Sequence, residues 1–128
     1  MYKARPDRPV TLPLLSLRLP LAGWVSFLHR VSGVLLFLCL PLALIALDRA
    51  LRGPEAFDEV RDMLAQPIAR LLVLVAVWAL AHHLFAGIRH LLMDLHVGVN
   101  LIAARRSALA VAVGGGLVAL ATAWRLFA

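Results

Sequence analysis

Three long apolar runs, separated by shorter polar stretches, set the pattern of the chain. From about Leu21 to Leu47 the residues are apolar apart from Ser26, His29, Arg30 and Ser32. Such a run is long enough to cross a bilayer with some tilt. Pro41 lies inside it, where a proline can kink a membrane helix if neighbouring groups take up the freed carbonyl. A second run extends from about Ile68 to Met93. It has no charge between Leu71 and Leu80 and then carries His82, His83, Arg89 and His90, with Asp94 just beyond. The third runs from about Ser107 to Phe127 and holds Gly114, Gly115 and Gly116 among many alanines. Small residues let helices approach closely, which predicts that this run packs on another helix.

The stretches between the runs have their own signals. Residues 1–20 form a polar arm punctuated by Pro6, Pro9, Pro13 and Pro20, each of which removes a donor and disfavours helix before it; this predicts an extended arm. Between Asp48 and Pro67, Gly53-Pro54-Glu55 combines a helix stop with a helix start. Phe57, Val60, Met63 and Leu64 then recur at helical spacing and predict a short amphipathic helix at the membrane surface. Leu95 to Arg106 reads as a short connection. The expected fold is therefore all-α: one membrane-anchor domain over residues 1–128, with three transmembrane helices and one surface helix.

Composition makes water an implausible solvent. Apolar residues are 62% of the 128, charged residues only 16%, and mean hydropathy is +0.89; soluble domains run at about 45–50% apolar, and a domain this small cannot hide such an excess. The net charge of +6 would raise nucleic acid as a partner in a soluble protein. Here the cations flank apolar runs, so lipid headgroups and orientation account for them better. Cys39, the lone cysteine, sits in mid-run and reads as packing. The first run begins after some twenty residues with no small-residue cleavage site, and reads as a retained helix rather than a signal peptide. The arm lacks the Arg/Ser-rich character of a transit peptide, which points to a bacterial inner membrane. Lys3, Arg5, Arg8, Arg18, Arg105 and Arg106 lie on one side, against Arg49, Arg52, Arg61, Arg70 and Arg125 on the other, where four of those five are interspersed with acids. The more compact positive charge places the N-terminus in the cytoplasm.

The polar residues inside the runs carry the candidate chemistry. His83, Gly87, His90 and Asp94 fall on one helical stripe. A histidine in lipid can ligate a heme iron, and Gly87 removes a side chain where a flat macrocycle would press. At about 1.5 Å per residue, His90 lies roughly 10 Å along the axis from His83, which lets one reach iron while the other meets propionates. A histidine bonded to a neighbouring helix, without heme, would leave the same stripe. His82 lies about 100° around from His83 and is expected to bond a neighbouring helix. On the first run Ser26, Arg30 and Gly33 share a face that His29 borders. Ser26 and Arg30 can both donate to a quinone carbonyl; Arg30 can equally pair with a propionate or snorkel to headgroups. Antiparallel runs bring Ser26, His29 and Arg30 to the same depth as Arg89, His90 and Asp94.

Two segments make a family visible. Ser26-Phe27-Leu28-His29-Arg30-Val31-Ser32-Gly33 resembles the S-x-x-H-R-x-[ST]-G signature of the cytochrome b-type membrane anchor of succinate dehydrogenase, respiratory complex II. The stretch from His83 through Gly87, Arg89 and His90 to Asp94 resembles that family's H-x-x-x-G-x-R-H-x-x-x-D signature. The resemblance covers essentially the whole chain. It implies that His83 is the axial ligand of heme b, with the second axial histidine supplied by another anchor subunit, so that this chain forms half of a heme-binding bundle. It implies propionate or rim contacts for His29, Arg30 and His90, and a ubiquinone pocket at Ser26 and Arg30. Dicarboxylate chemistry would reside in a flavoprotein and an iron–sulfur subunit. Three rivals stay open: a fumarate reductase anchor, a heme-free structural subunit, and a self-contained cytochrome using His29 and His83.

Overall fold

The computed structural model describes residues 19–128, and the arm expected to be extended and cytoplasmic lies almost wholly outside them. Four helices follow in order: α1 (Leu21–Ala50), α2 (Pro54–Ala65), α3 (Pro67–Asp94) and α4 (Leu101–Phe127). Three of them are long and apolar enough to cross a membrane, and the chain is a multi-pass membrane protein.

Local chemistry sets the boundaries. Pro20 stands ahead of α1, and its carbonyl takes the amides of Gly23 and Trp24. Pro41 lies within α1, which continues to Ala50. Gly53 adopts φ 144°, open to a residue without Cβ, and Pro54 opens α2. One extended residue, Gln66, separates α2 from α3, which Pro67 opens in turn. The turn from α3 to α4 uses left-handed backbone at His96 and Gly98. Asn100 then caps α4 by accepting the Ala103 amide at 2.8 Å. α4 therefore starts six residues ahead of Ser107, and Arg105 and Arg106 belong to its opening turns rather than to a connection. The surface helix is α2, with Val60 buried and Phe57, Met63 and Leu64 exposed. An exposed ion pair, Arg49 to Glu59 at 2.7 Å, joins it to the end of α1; such pairs add little stability.

α3 is central and packs against both α1 and α4. The interfaces are built from small side chains: Ala79, Ala81, Ala86, Ala108 and Gly115 are buried, and Val25, Ala86, Ala108 and Val111 form the core cluster. Large apolar residues point outward, with Phe37 at 76% exposed and Leu120 at 70%. This reversal of the soluble pattern suits a lipid solvent, where burial of leucine in protein gains nothing and close backbone approach gains dispersion.

Candidate functional site

α1 descends where α3 returns, so the first half of α1 faces the second half of α3. Four polar side chains meet there. The His29 and His83 rings stack with centroids 4.2 Å apart and planes 22° from parallel. The His90 ring lies 5.1 Å from His29 on a tilt, and His90 Nε2 is 3.4 Å from Ser26 Oγ. The depth match expected from antiparallel runs is thus realised by Ser26, His29 and His90.

The bonding of His83 selects its tautomer. Its Nδ1 lies 3.1 Å from the His29 carbonyl oxygen. A carbonyl can only accept, so Nδ1 carries a proton, and in the neutral ring Nε2 keeps its lone pair. Ser32, fully buried, donates its hydroxyl to the same carbonyl at 2.9 Å and sits 3.3 Å from Nδ1. Gly33 makes room: a Cβ there would stand 3.0 Å from Cε1 of His83. At Gly87 a Cβ would approach His29 Nε2 to 3.6 Å.

The arrangement fits a heme contact on three counts. His83 offers one unprotonated nitrogen while the other is held by the protein, the usual state of a ligating imidazole. His29 Nε2 and His90 Nδ1 are buried with no hydrogen-bond partner among the described residues, and such nitrogens suit acceptors like propionate oxygens. His29 stacks on His83 and lies tilted to His90, and among the described residues no group of three or more His, Cys, Asp or Glu could chelate a bare ion. Stacking also bears on the self-contained cytochrome. Two axial imidazoles of one iron stand on opposite faces of a macrocycle, whereas His29 and His83 lie ring against ring.

Other candidates go elsewhere. His82, 3% exposed, stacks on Trp78 at 5.5 Å and places Nε2 3.4 Å from the Val25 carbonyl of α1. Its ring fills the notch left by Gly115 of α4, where a Cβ would be 3.7 Å from it. Arg89, 7% exposed, turns away from the histidines: its Nε donates to Ser107 Oγ at 3.0 Å and its Nη2 to the Ala104 carbonyl at 3.4 Å. Arg30 and Asp94 are exposed and make no hydrogen bond to a described residue. The structure thus brings together Ser26, His29, His83 and His90, and leaves Arg30 facing outward from the bundle one turn beyond Ser26. Sequence reasoning assigned no role to Ser32; its position three residues after His29, where a serine can bond back to the i−3 carbonyl, was the available signal.

Comparison with known proteins gives the family. Residues 4–123 match the succinate dehydrogenase/fumarate reductase transmembrane subunit family. The chain is 43% identical over 89 residues to a succinate dehydrogenase cytochrome b556 subunit of Coxiella burnetii, covering 69% of this chain and 71% of the relative. It is 31% identical over 118 residues to the protein of the same name from Paracoccus denitrificans, covering 92% and 91%.

Proposed function

This chain belongs to the family of succinate dehydrogenase/fumarate reductase transmembrane subunits, and we propose that it is the cytochrome b-type anchor of a succinate dehydrogenase, holding heme b with a partner subunit and forming part of the ubiquinone-reduction site. The observation that carries this reading is His83, whose Nδ1 is engaged by the His29 carbonyl, which leaves Nε2 as the nitrogen available to a ligand role. The family resemblance assigns the second iron ligand to another anchor subunit, and the stacking of His29 on His83 is consistent with that assignment. His29 and His90 hold propionates with their unpartnered nitrogens. When bound, the heme supplies a one-electron centre within the lipid. The names of both relatives favour the succinate-oxidising direction over fumarate reduction.

Ser26 and Arg30 form this chain's side of the quinone pocket. Their donors bind a carbonyl oxygen of the ring, and the guanidinium stabilises the negative charge that develops there on reduction. Arg30 is exposed on the chain alone, as a residue completed by a partner or a substrate would be. The chain acts as a single anchor domain in a bacterial inner membrane with its N-terminus cytoplasmic, which puts the histidine cluster in the cytoplasmic half. The flavoprotein and iron–sulfur subunits dock on that side.

Purification in mild detergent tests the assignment. The chain should bring down three other subunits and a b-type heme spectrum; a colourless protein without them refutes it. In that complex, Ser26→Ala or Arg30→Leu should slow quinone reduction about tenfold or more while dye-linked succinate oxidation is retained. Equal loss in both assays removes the pocket from these residues.

A further inference from the structure

A hydroxyl at the most buried polar position of a membrane helix needs a reason. Ser32 is fully buried, and the buried apolar residues around the helix interfaces are alanines and valines. An alanine would fit there and would carry no polar group to satisfy. Both neighbours of the Ser32 hydroxyl belong to the His83 contact: the His29 carbonyl that accepts from it at 2.9 Å, and the His83 Nδ1 at 3.3 Å.

We infer that Ser32 is a positioning residue that, as a second acceptor beside the His29 carbonyl, holds the ring orientation of His83 and thereby tunes the strength of its Nε2 as an iron ligand, an inference that rests on the heme reading above. With its proton given to the His29 carbonyl, the Ser32 oxygen turns lone pairs toward Nδ1–H. The imidazole N–H is then shared between two acceptors, the carbonyl at 3.1 Å and the hydroxyl. Donation from the remote N–H raises the basicity of the ligating nitrogen. The ring has little freedom to escape: His29 lies against one face and the Gly33 backbone against its edge. Ser32 occupies the remaining corner. The serine and the glycine after it therefore act as one device, the first holding the nitrogen and the second admitting the ring.

The test uses the assembled complex and spectroscopy of its heme, not turnover. Ser32→Ala should retain the heme, because the His29 carbonyl still accepts from Nδ1–H. It should also shift the ferric EPR signal and move the midpoint potential upward, since a less basic ligand favours the ferrous state. Ser32→Thr, which keeps the hydroxyl, should stay at the native values. A Ser32→Ala complex with native signal and potential overturns the proposal, as does a Thr variant shifted as far as Ala, which would mark a packing effect. Should the added methyl prevent assembly, pulsed EPR decides independently: the coupling of the proton on the remote nitrogen of the His83 imidazole must differ between the Ser32→Ala and unaltered complexes, and an identical coupling overturns the proposal. His83→Ala separates the two levels. If it leaves the heme bound, the ligand reading itself fails; if it removes the heme while Ser32→Ala is native, that reading stands and the role of Ser32 falls.

Discussion

His82 and His83 are adjacent, equally apolar in their sequence surroundings, and opposite in what the fold does with them. His82 is enclosed, with a carbonyl at its Nε2, an indole on one face and a glycine notch of α4 around it. His83 is half-buried and held at one nitrogen only, among other imidazoles that have nitrogens without partners. A helical step of about 100° turns one toward the centre of the bundle and the other toward its seam with α1. Burial alone would nominate His82 as the functional residue. Each has one ring nitrogen in a described hydrogen bond, so place separates them: His83 lies half-buried beside two imidazoles with unpartnered nitrogens, where a further group can be met, and His82 is enclosed by protein.

The largest effect that could break this contrast comes from exchanging the two residues as targets. His83→Ala should abolish the b-type absorption of the purified complex while leaving the spans inserted. His82→Ala should retain the absorption and instead destabilise the detergent-solubilised complex by about 2–3 kcal/mol, from a cavity and a lost hydrogen bond. Difference spectra with thermal melts read both outcomes. Absorption that survives His83→Ala and vanishes in His82→Ala would reverse the assignment.

A smaller effect is expected at Gly33. A Cβ there would press on Cε1 of His83 at 3.0 Å. Ala demands only a few tenths of an ångström, but Gly33→Val adds two methyls against a ring that His29 and Ser32 already confine. Heme content per complex should fall about tenfold in the valine variant, in the range seen when support of a metal ligand is disturbed. Undiminished heme content would mean that the ring is free to move and that its orientation is not set by α1.

The α3–α4 side should respond in stability only. Arg89 is buried with Ser107 Oγ and the Ala104 carbonyl as its acceptors. Ser107→Ala removes the better of these bonds and should cost about 1–2 kcal/mol, with heme absorption and quinone reduction at native levels. A spectral change in this variant would tie Arg89 to the histidine cluster despite its orientation.

Much of this architecture was legible in advance, for reasons that also mark where legibility stops. Hydropathy alone located the spans, because lipid imposes a length and a composition on any helix that crosses it. Helical spacing separated His82 from His83, and antiparallel depth matched Ser26 to His90. Three things needed coordinates. The start of α4 was hidden because Arg105-Arg106 looks like an interface signal, whereas the cap is Asn100. Arg89 sits beside His90 in sequence and in the family signature, yet its helical angle sends it to Ser107. The spacing of Ser32 from His29 signalled its bond to the His29 carbonyl, but its contact with His83 needed the register between α1 and α3.

The mildest test compares three consecutive glycines of α4 that share a composition signal and differ in surroundings. A Cβ at Gly114 would lie 3.1 Å from the Phe85 ring, one at Gly115 3.7 Å from His82, and one at Gly116 would meet nothing within 4 Å. Substituting Ala at Gly116 removes the backbone freedom of glycine from a helix interior, which stabilises by about 0.5–1 kcal/mol where space allows. Thermal melts of the complex should therefore show Gly116→Ala neutral or slightly stabilised, Gly115→Ala near neutral, and Gly114→Ala destabilised unless Phe85 yields. An ordering in which Gly116→Ala is the most damaging would mean that another subunit's backbone packs on that outward face of α4. Close approach would then extend from the inside of this bundle to its neighbour.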